Sequence, residues 1–438
     1  MGLEEIIMRI AQLVPGSGNA FYCENCLRDA SIITELQRHG HQPLVVPLYL
    51  PIVLETENYE PSAPIFFGGI NVYLQQKSLL FRKTPRWLDR ILDSPFLLKL
   101  AGKRSGMTQA SELGDMTLSM LLGEKGNQAK EVKRLTNWLK ESGKPDLVQL
   151  SNALLLGMAR QIKKELGIPI LCLLQDEDIW IDAMPEPLRT KLWATMSERA
   201  SDVSAFISVS EYYKEQMSQR LNIPPEKIHV IYTGIQTEKY KQSELPYNPP
   251  VIGYLERQCK EKGLDVLAKA FVILKRDDRF KNVKLMIAGG MTPGDEPFVD
   301  GIKRYLTQSG VIDDVKFLPN LNIKERIEFL STLTILSVPA EHREAFGIYV
   351  IEALASGVPV VQPNHGAFTE LMNILKGGII YEPNEPEVLA REMGSLLSNP
   401  ERAKELGNIG KKAVEERFKI EYTAKKFVEV MTNLVKNQ

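Results

Sequence analysis

The sequence predicts an α/β protein of two tandem Rossmann-like doubly wound domains facing a cleft. Three observations predict it. Short apolar strands alternate with amphipathic helices along the chain, the pattern of parallel sheets joined by crossover helices. That alternation stops at residues 236–250, QTEKYKQSELPYNPP, where prolines crowd in as they do in a linker. Finally, 438 residues suffice for two hydrophobic cores, each near the usual ceiling for one. The first domain is expected over residues 1–240 and the second over 249–419. The last helix, 420–438, has one apolar face (Phe427, Val430, Met431, Leu434) and is expected to pack back on the first domain.

The elements follow in order. IIMRIAQLVP reads as a strand, PGSGNA as a glycine-bearing loop, CLRDASIITELQRHG as a helix closed by Gly40, and QPLVVPLYL as the next parallel strand. The same unit returns as PDLVQLSN, LGMARQIKKELG and IPILCLLQ, then as SAFISVS, EYYKEQMSQRLN and KIHVIYTG. Beyond the linker come strand VIGYLE, helix GLDVLAKAFVILKR and strands VKLMIAGG and VKFLP. Helix KERIEFLST, strand LTILSVP, helix GIYVIEALAS and strand VPVVQ complete the series. Ligands of such sheets sit outside the carboxyl ends of the strands.

Composition narrows the function. With 44% hydrophobic and 25% charged residues the chain is of the globular type. A net charge of -1 speaks against bulk nucleic-acid binding, which needs a basic excess. Four cysteines are too few for a disulfide framework at this length, so a reducing cytoplasm is the expected compartment. The start, MGLEEIIMRI, carries acids where a secretory signal carries basic residues. The longest uncharged apolar run, LVVPLYLPIVL, is broken by two prolines and falls well short of the ~20 residues a membrane helix needs.

The chemistry concentrates in EAFGIYVIEALASGVPVVQ, residues 344–362. Read as a helix, its middle is apolar nearly all round, yet it carries Glu352. One turn away lie Ile348, Tyr349, Ala355 and Ser356, none able to form an ion pair with it. Glu352 therefore reaches water or faces a polar ligand. The helix start at Gly347, Ile348 and Tyr349 presents backbone N–H groups and the positive dipole end, a setting suited to phosphate. Glu344 lies eight residues earlier, in the preceding loop. In IGYLERQCKEKGLD, Arg257 follows the strand and Lys262 opens the next helix, an unfavourable place for a cation unless an anion is near. KEKG alone reads as a solvated turn, and Glu344 alone as a loop charge. Together on one face, two cations and a helix N-terminus form a diphosphate clamp able to replace a magnesium ion.

These motifs resemble a known family. EAFGIYVIEALASGVPVV looks like the E-x7-E signature of the GT-B-fold retaining glycosyltransferases, specifically glycosyltransferase family 4, and RQCKEKG is similar to its R-x4-KG loop. ISVSEYYKEQM with KIHVIYTGIQ resembles the segment that closes its N-terminal domain, and NHGAFTE stands where the family often has GG-x-x-E. The likeness covers most of the chain from about residue 145 on. It implies sugar transfer from a nucleotide-sugar donor to a glycan, lipid or small-molecule acceptor, with retention and no metal or other cofactor. By the same resemblance Glu352 binds the ribose and Glu344 the donor sugar. Arg257 and Lys262 then hold the diphosphate with amides near Gly347, Ile348 and Tyr349. Gln175 stands where the family commonly carries a histidine, so the acceptor-side role passes to Gln175 or Asp176, or the acceptor is unusual. His365 replaces the first glycine of the GG pair and is expected to contact phosphate or to pack. A catalytically silent nucleotide-sugar binder is the alternative reading, favoured by Gln175.

Other motifs weigh less. Asp176–Glu177–Asp178 is formally a metal-binding D-x-D and would serve a metal-dependent hydrolase, but it lies in the first domain and so short a match arises by chance; a cleft-lining loop is expected instead. Cys23 and Cys26 form a C-x-x-C without a second pair for zinc and are expected to pack at a helix start. Gly16-Ser17-Gly18 lacks the third glycine of a dinucleotide fingerprint, which suits a loop approaching phosphate or acceptor and removes the nicotinamide reading. Residues 77–104 hold eight basic and two acidic residues around Trp87. They read as a packed helical hairpin with a basic face, or as a peripheral docking site for anionic lipid.

Overall fold

The computed structural model describes residues 6–15, 24–49, 63–64, 66–67, 69–78, 80–84, 110–245 and 248–438. These form two units. The first runs through Tyr232 and takes in Ala424–Gln438; the second runs over Thr233–Thr423. Each is an all-parallel sheet of six strands with flanking helices.

The first unit's strands are β1 (Arg9–Val14), β2 (Gln42–Pro47), β3 (Leu147–Leu150), β4 (Ile170–Leu174), β5 (Ala205–Ser208) and β6 (Ile228–Val230), in the order β2-β1-β3-β4-β5-β6. β3, β4 and β5 are buried at every residue, as expected of parallel strands covered on both faces. Two glutamines interrupt this apolar centre: Gln12 on β1 faces Gln149 on β3 and donates to it at 3.4 Å.

The second unit contains β7 (Val251–Leu255), β8 (Lys284–Gly289), β9 (Val315–Pro319), β10 (Ile335–Leu336), β11 (Val360–Pro363) and β12 (Gly378–Tyr381). Their order is β12-β11-β10-β7-β8-β9. The chain builds outward from β7 in one direction and then from β10 in the other, so the switch point falls between these two strands. The loops that leave their carboxyl ends splay apart there and make a ligand crevice. The loop after β7 carries Arg257 and Lys262, and the loop after β10 carries Glu344. Topology alone thus brings the two motifs together. Gly263 allows the close approach: it has φ +70°, and an added Cβ would lie 1.8 Å from the Pro339 carbonyl oxygen.

The stretch read as a linker is not free. Ser243 donates from its N–H to Ser356 O at 2.7 Å and from its hydroxyl to Leu333 O at 2.8 Å. Upstream, Ile235 pairs with Lys419. The division between the units therefore falls at Tyr232, ahead of the proline-rich residues, and residues 235–243 form a strap on the second unit. Periodicity is missing there because the backbone bonds to helix ends and loops rather than to a helix or sheet of its own.

Candidate functional site

The helix Ile348–Ala355 is buried at all eight residues, which explains its unbroken apolar composition. It opens at Gly347 (φ 85°, ψ 72°), with no side-chain cap and no acid in its first turn. The positive end of its dipole is thus not neutralised by its own sequence. Ser356 and Gly357 (φ 72°) end it.

Glu352 neither reaches water nor lacks protein partners. It is 3% exposed; Oε1 accepts from the Tyr240 hydroxyl at 2.6 Å, and Oε2 pairs with Arg326 Nη2. Both partners lie far away in sequence, which is why the helix alone showed none. Glu344 is buried as well, at 1% exposure. Lys262 Nζ lies 2.7 Å from its Oε1, and His342 Nε2 3.3 Å from the same oxygen. Burial alone would raise the Glu344 carboxyl, but Lys262 and His342 prevail and hold it down at about 2. The anion that offsets Lys262 at a helix start is therefore Glu344, with Glu256 farther off at 3.9 Å.

Arg257 projects outward, its side chain 51% exposed, and forks onto Asp295 at 2.9 and 3.2 Å. Asp295 is held below the usual carboxylate range by Arg257 and Thr292, against the effect of its burial. The loop between the two cations is pinned by Tyr254, whose hydroxyl donates to the carbonyl oxygens of Arg257 (2.8 Å) and Lys262 (3.3 Å). His365 Nε2 lies 3.0 Å from Ala340 O, its ring packs near Phe368, and burial lowers its pKa. A neutral packing imidazole fits these contacts.

The structure thus pairs Lys262 with Glu344 at the second sheet's switch point, with Arg257 on the loop of Lys262 and Gly347–Tyr349 and Glu352 on the helix that follows the Glu344 loop. Sequence reading missed Tyr240, Asp295, Arg326 and His342. Arg326 had a signal: it sits three and four residues before the buried Phe329 and Leu330, on the inward face of its own helix.

In the first unit, Gln175 is 5% exposed and engaged at both amide atoms: Oε1 accepts from Arg28 Nη1, and Nε2 donates to Ser151 O at 2.9 Å. Asp176 precedes a short helix with φ 55° and ψ 18°. Asp178 Oδ1 lies 2.9 Å from the Tyr213 hydroxyl, and Oδ2 accepts from Gln216 Nε2 at 2.5 Å. The D-x-D is therefore engaged by the protein itself; among the described residues no group of three His, Cys, Asp or Glu could hold a metal ion. Gly16, Cys23 and the Cys26 side chain lie outside the described residues, as does all of 85–104. No described helix is long and apolar enough to cross a membrane.

Glu177 is buried in the same network. Its oxygens accept from the N–H groups of Ala153 (2.8 Å) and Gln175 (2.7 Å), and the Tyr213 hydroxyl lies 2.8 Å away. Burial nevertheless pushes its carboxyl up to about 7 from an ordinary 4.5. Between those values the folded chain holds a proton that the unfolded chain has lost. Stability should therefore fall as pH rises through that window, by on the order of 3 kcal/mol, and level off above it. Urea unfolding across this range should show the slope, and Glu177→Gln should flatten it. Equal slopes in both proteins would contradict the assignment.

Comparison with known proteins agrees with this architecture. The family model described as "Glycosyl transferases group 1" matches residues 235–413, and that of "Glycosyltransferase Family 4" matches 119–239. A D-inositol 3-phosphate glycosyltransferase of Streptomyces scabiei is 22% identical over 52% of this chain and 53% of its own length. The chain spans about two-fifths to three-fifths of the length of the curated relatives it matches. Among solved structures, the sucrose-phosphate synthase of Thermosynechococcus elongatus superposes with a TM-score of 0.72 at 16% identity, covering 98% of this chain and 99% of that one. Alr3699/HepE of Anabaena, solved with UDP and glucose, gives 0.70 at 16% identity over 97% and 100%. With the two models running together across residues 119–413, and with this fold, the chain belongs to the GT-B-fold glycosyltransferases of the family 4 type.

Proposed function

We propose that the protein transfers a sugar from a nucleotide-sugar donor to a glycan, lipid or small-molecule acceptor with retention of anomeric configuration and without a metal ion. The observation that carries this reading is the pair of Lys262 with the buried Glu344 at the switch point, on the loops that carry Arg257 and lead into the helix opening at Gly347. Lys262 carries three donor positions, and its side chain is 14% exposed beside Glu344, so a phosphate entering the crevice can share it. Arg257 can turn from Asp295 to the diphosphate, since its side chain is half exposed. Charge growing on the departing diphosphate would then meet two cations and a helix dipole. Glu344, ionised at every ordinary pH, is suited to accept from hydroxyls of the donor sugar, and Glu352 from those of the ribose. Structures of similar fold that hold UDP or UDP-glucose support a nucleotide donor.

Incubation with a panel of nucleotide sugars in EDTA tests this. At least one should raise the unfolding temperature by mass action and, with water or an added acceptor hydroxyl taking the sugar, be consumed with release of the nucleoside diphosphate. The locked amide of Gln175 favours a second reading, a silent binder of nucleotide sugars. That reading predicts the thermal shift without donor consumption, whatever acceptor is offered.

A further inference from the structure

Glu352 is held by donors from two separate segments. Tyr240, in the strap, donates to one oxygen at 2.6 Å, and Arg326, in the helix Ile323–Ser331, pairs with the other. A carboxylate accepts about four hydrogen bonds. Two donors thus leave two positions, the number that a vicinal diol fills. Burial pushes the Tyr240 hydroxyl up to about 12, so it keeps its proton and remains a donor. Arg326 is 3% exposed, and its helix is fixed by a capping box in which Asn322 accepts from Glu325 N at 2.9 Å and Glu325 accepts from Asn322 N at 3.0 Å. A buried ion pair adds little stability over apolar residues of equal volume. Its position on the helix that opens at Gly347 therefore asks for another explanation.

We infer that Arg326 and Tyr240 are positioning residues that fix the Glu352 carboxylate in one orientation, so that the site selects nucleotides with an intact ribose diol over their 2′-deoxy forms. The inference rests on the reading of Glu352 as the ribose acceptor. Arg326 also balances the charge of Glu352, which would otherwise repel a diphosphate bound nearby. Without these two donors the carboxylate would swing among rotamers and meet the diol only part of the time.

Calorimetric titration of UDP, GDP and ADP, each against its 2′-deoxy counterpart in EDTA, tests this on wild type, Tyr240→Phe and Arg326→Lys. Wild type should bind the ribonucleotide of its preferred base about tenfold or more tighter than the deoxy form, the worth of a hydrogen bond to a charged group. Each variant should shrink that ratio to about threefold or less, through weaker binding of the ribonucleotide alone. Arg326→Lys keeps the charge but loses the planar fork. Tyr240→Phe removes a single hydroxyl, and it decides the matter alone if the lysine variant fails to fold. A ratio unchanged from wild type in the folded variants overturns the inference while leaving Glu352 its ribose. Equal binding of ribo and deoxy forms by wild type overturns both.

Discussion

Replacing Glu352 by alanine is expected to lower the unfolding free energy by about 3–5 kcal/mol, the cost of removing one partner of a buried ion pair. The cause is Arg326, whose guanidinium would stay in the interior without its counter-charge. Tyr240 would lose its acceptor at the same time. The double replacement Glu352→Leu with Arg326→Met should recover most of the loss, since apolar side chains of similar volume commonly match a buried pair in stability. Glu352→Gln keeps an acceptor for Tyr240 and should fall between the two. Urea unfolding of the four proteins measures this. A single-variant loss within about 0.5 kcal/mol, the range of ordinary surface substitutions, would show that the pair does not form. The same physics governs functional tests: a loss of nucleotide binding in Glu352→Ala counts only after folding has been checked.

Lys262→Met is expected to reduce donor turnover by about a hundredfold or more, the usual effect of removing one charge partner from a transition state. It has a second consequence through Glu344. In the intact protein Lys262 is the chief group holding that carboxyl down at about 2, so the stability its pairing contributes is full above about 4.5 and is lost only as pH falls toward 2. Without Lys262, the largest group opposing burial is gone and the carboxyl should titrate at higher pH. The acid limb of the activity profile should therefore move upward in the variant. Turnover measured from pH 4 to 8 in both proteins checks the two effects together. A variant with wild-type turnover would remove Lys262 from the chemistry.

Much of this was legible in the sequence because the information was local. The alternation of apolar strands and helices predicted two parallel sheets, and the structure has two. The E-x7-E and R-x4-KG spacings named residues that topology then joined, because loops at a switch point converge without contact information. What was not legible depended on contacts between distant segments. Arg326 and Tyr240 lie 26 and 112 residues from Glu352, and no spacing rule connects them. The strap was mistaken for a linker because its order comes from bonds to Leu333 and Ser356 rather than from its own periodicity. Arg28 and the Ser151 carbonyl oxygen engage the amide of Gln175, and nothing near position 175 announces either.

On the proposed reading the second sheet's switch point binds a nucleoside diphosphate through its own cations. Calorimetry on wild type and Lys262→Met, with UDP, GDP and ADP in EDTA, tests it most directly. At least one diphosphate should bind wild type without metal and bind the variant about tenfold or more weakly, as loss of a charged hydrogen bond requires. Binding of none of the three, binding only when magnesium is restored, or equal affinity in both proteins would contradict it.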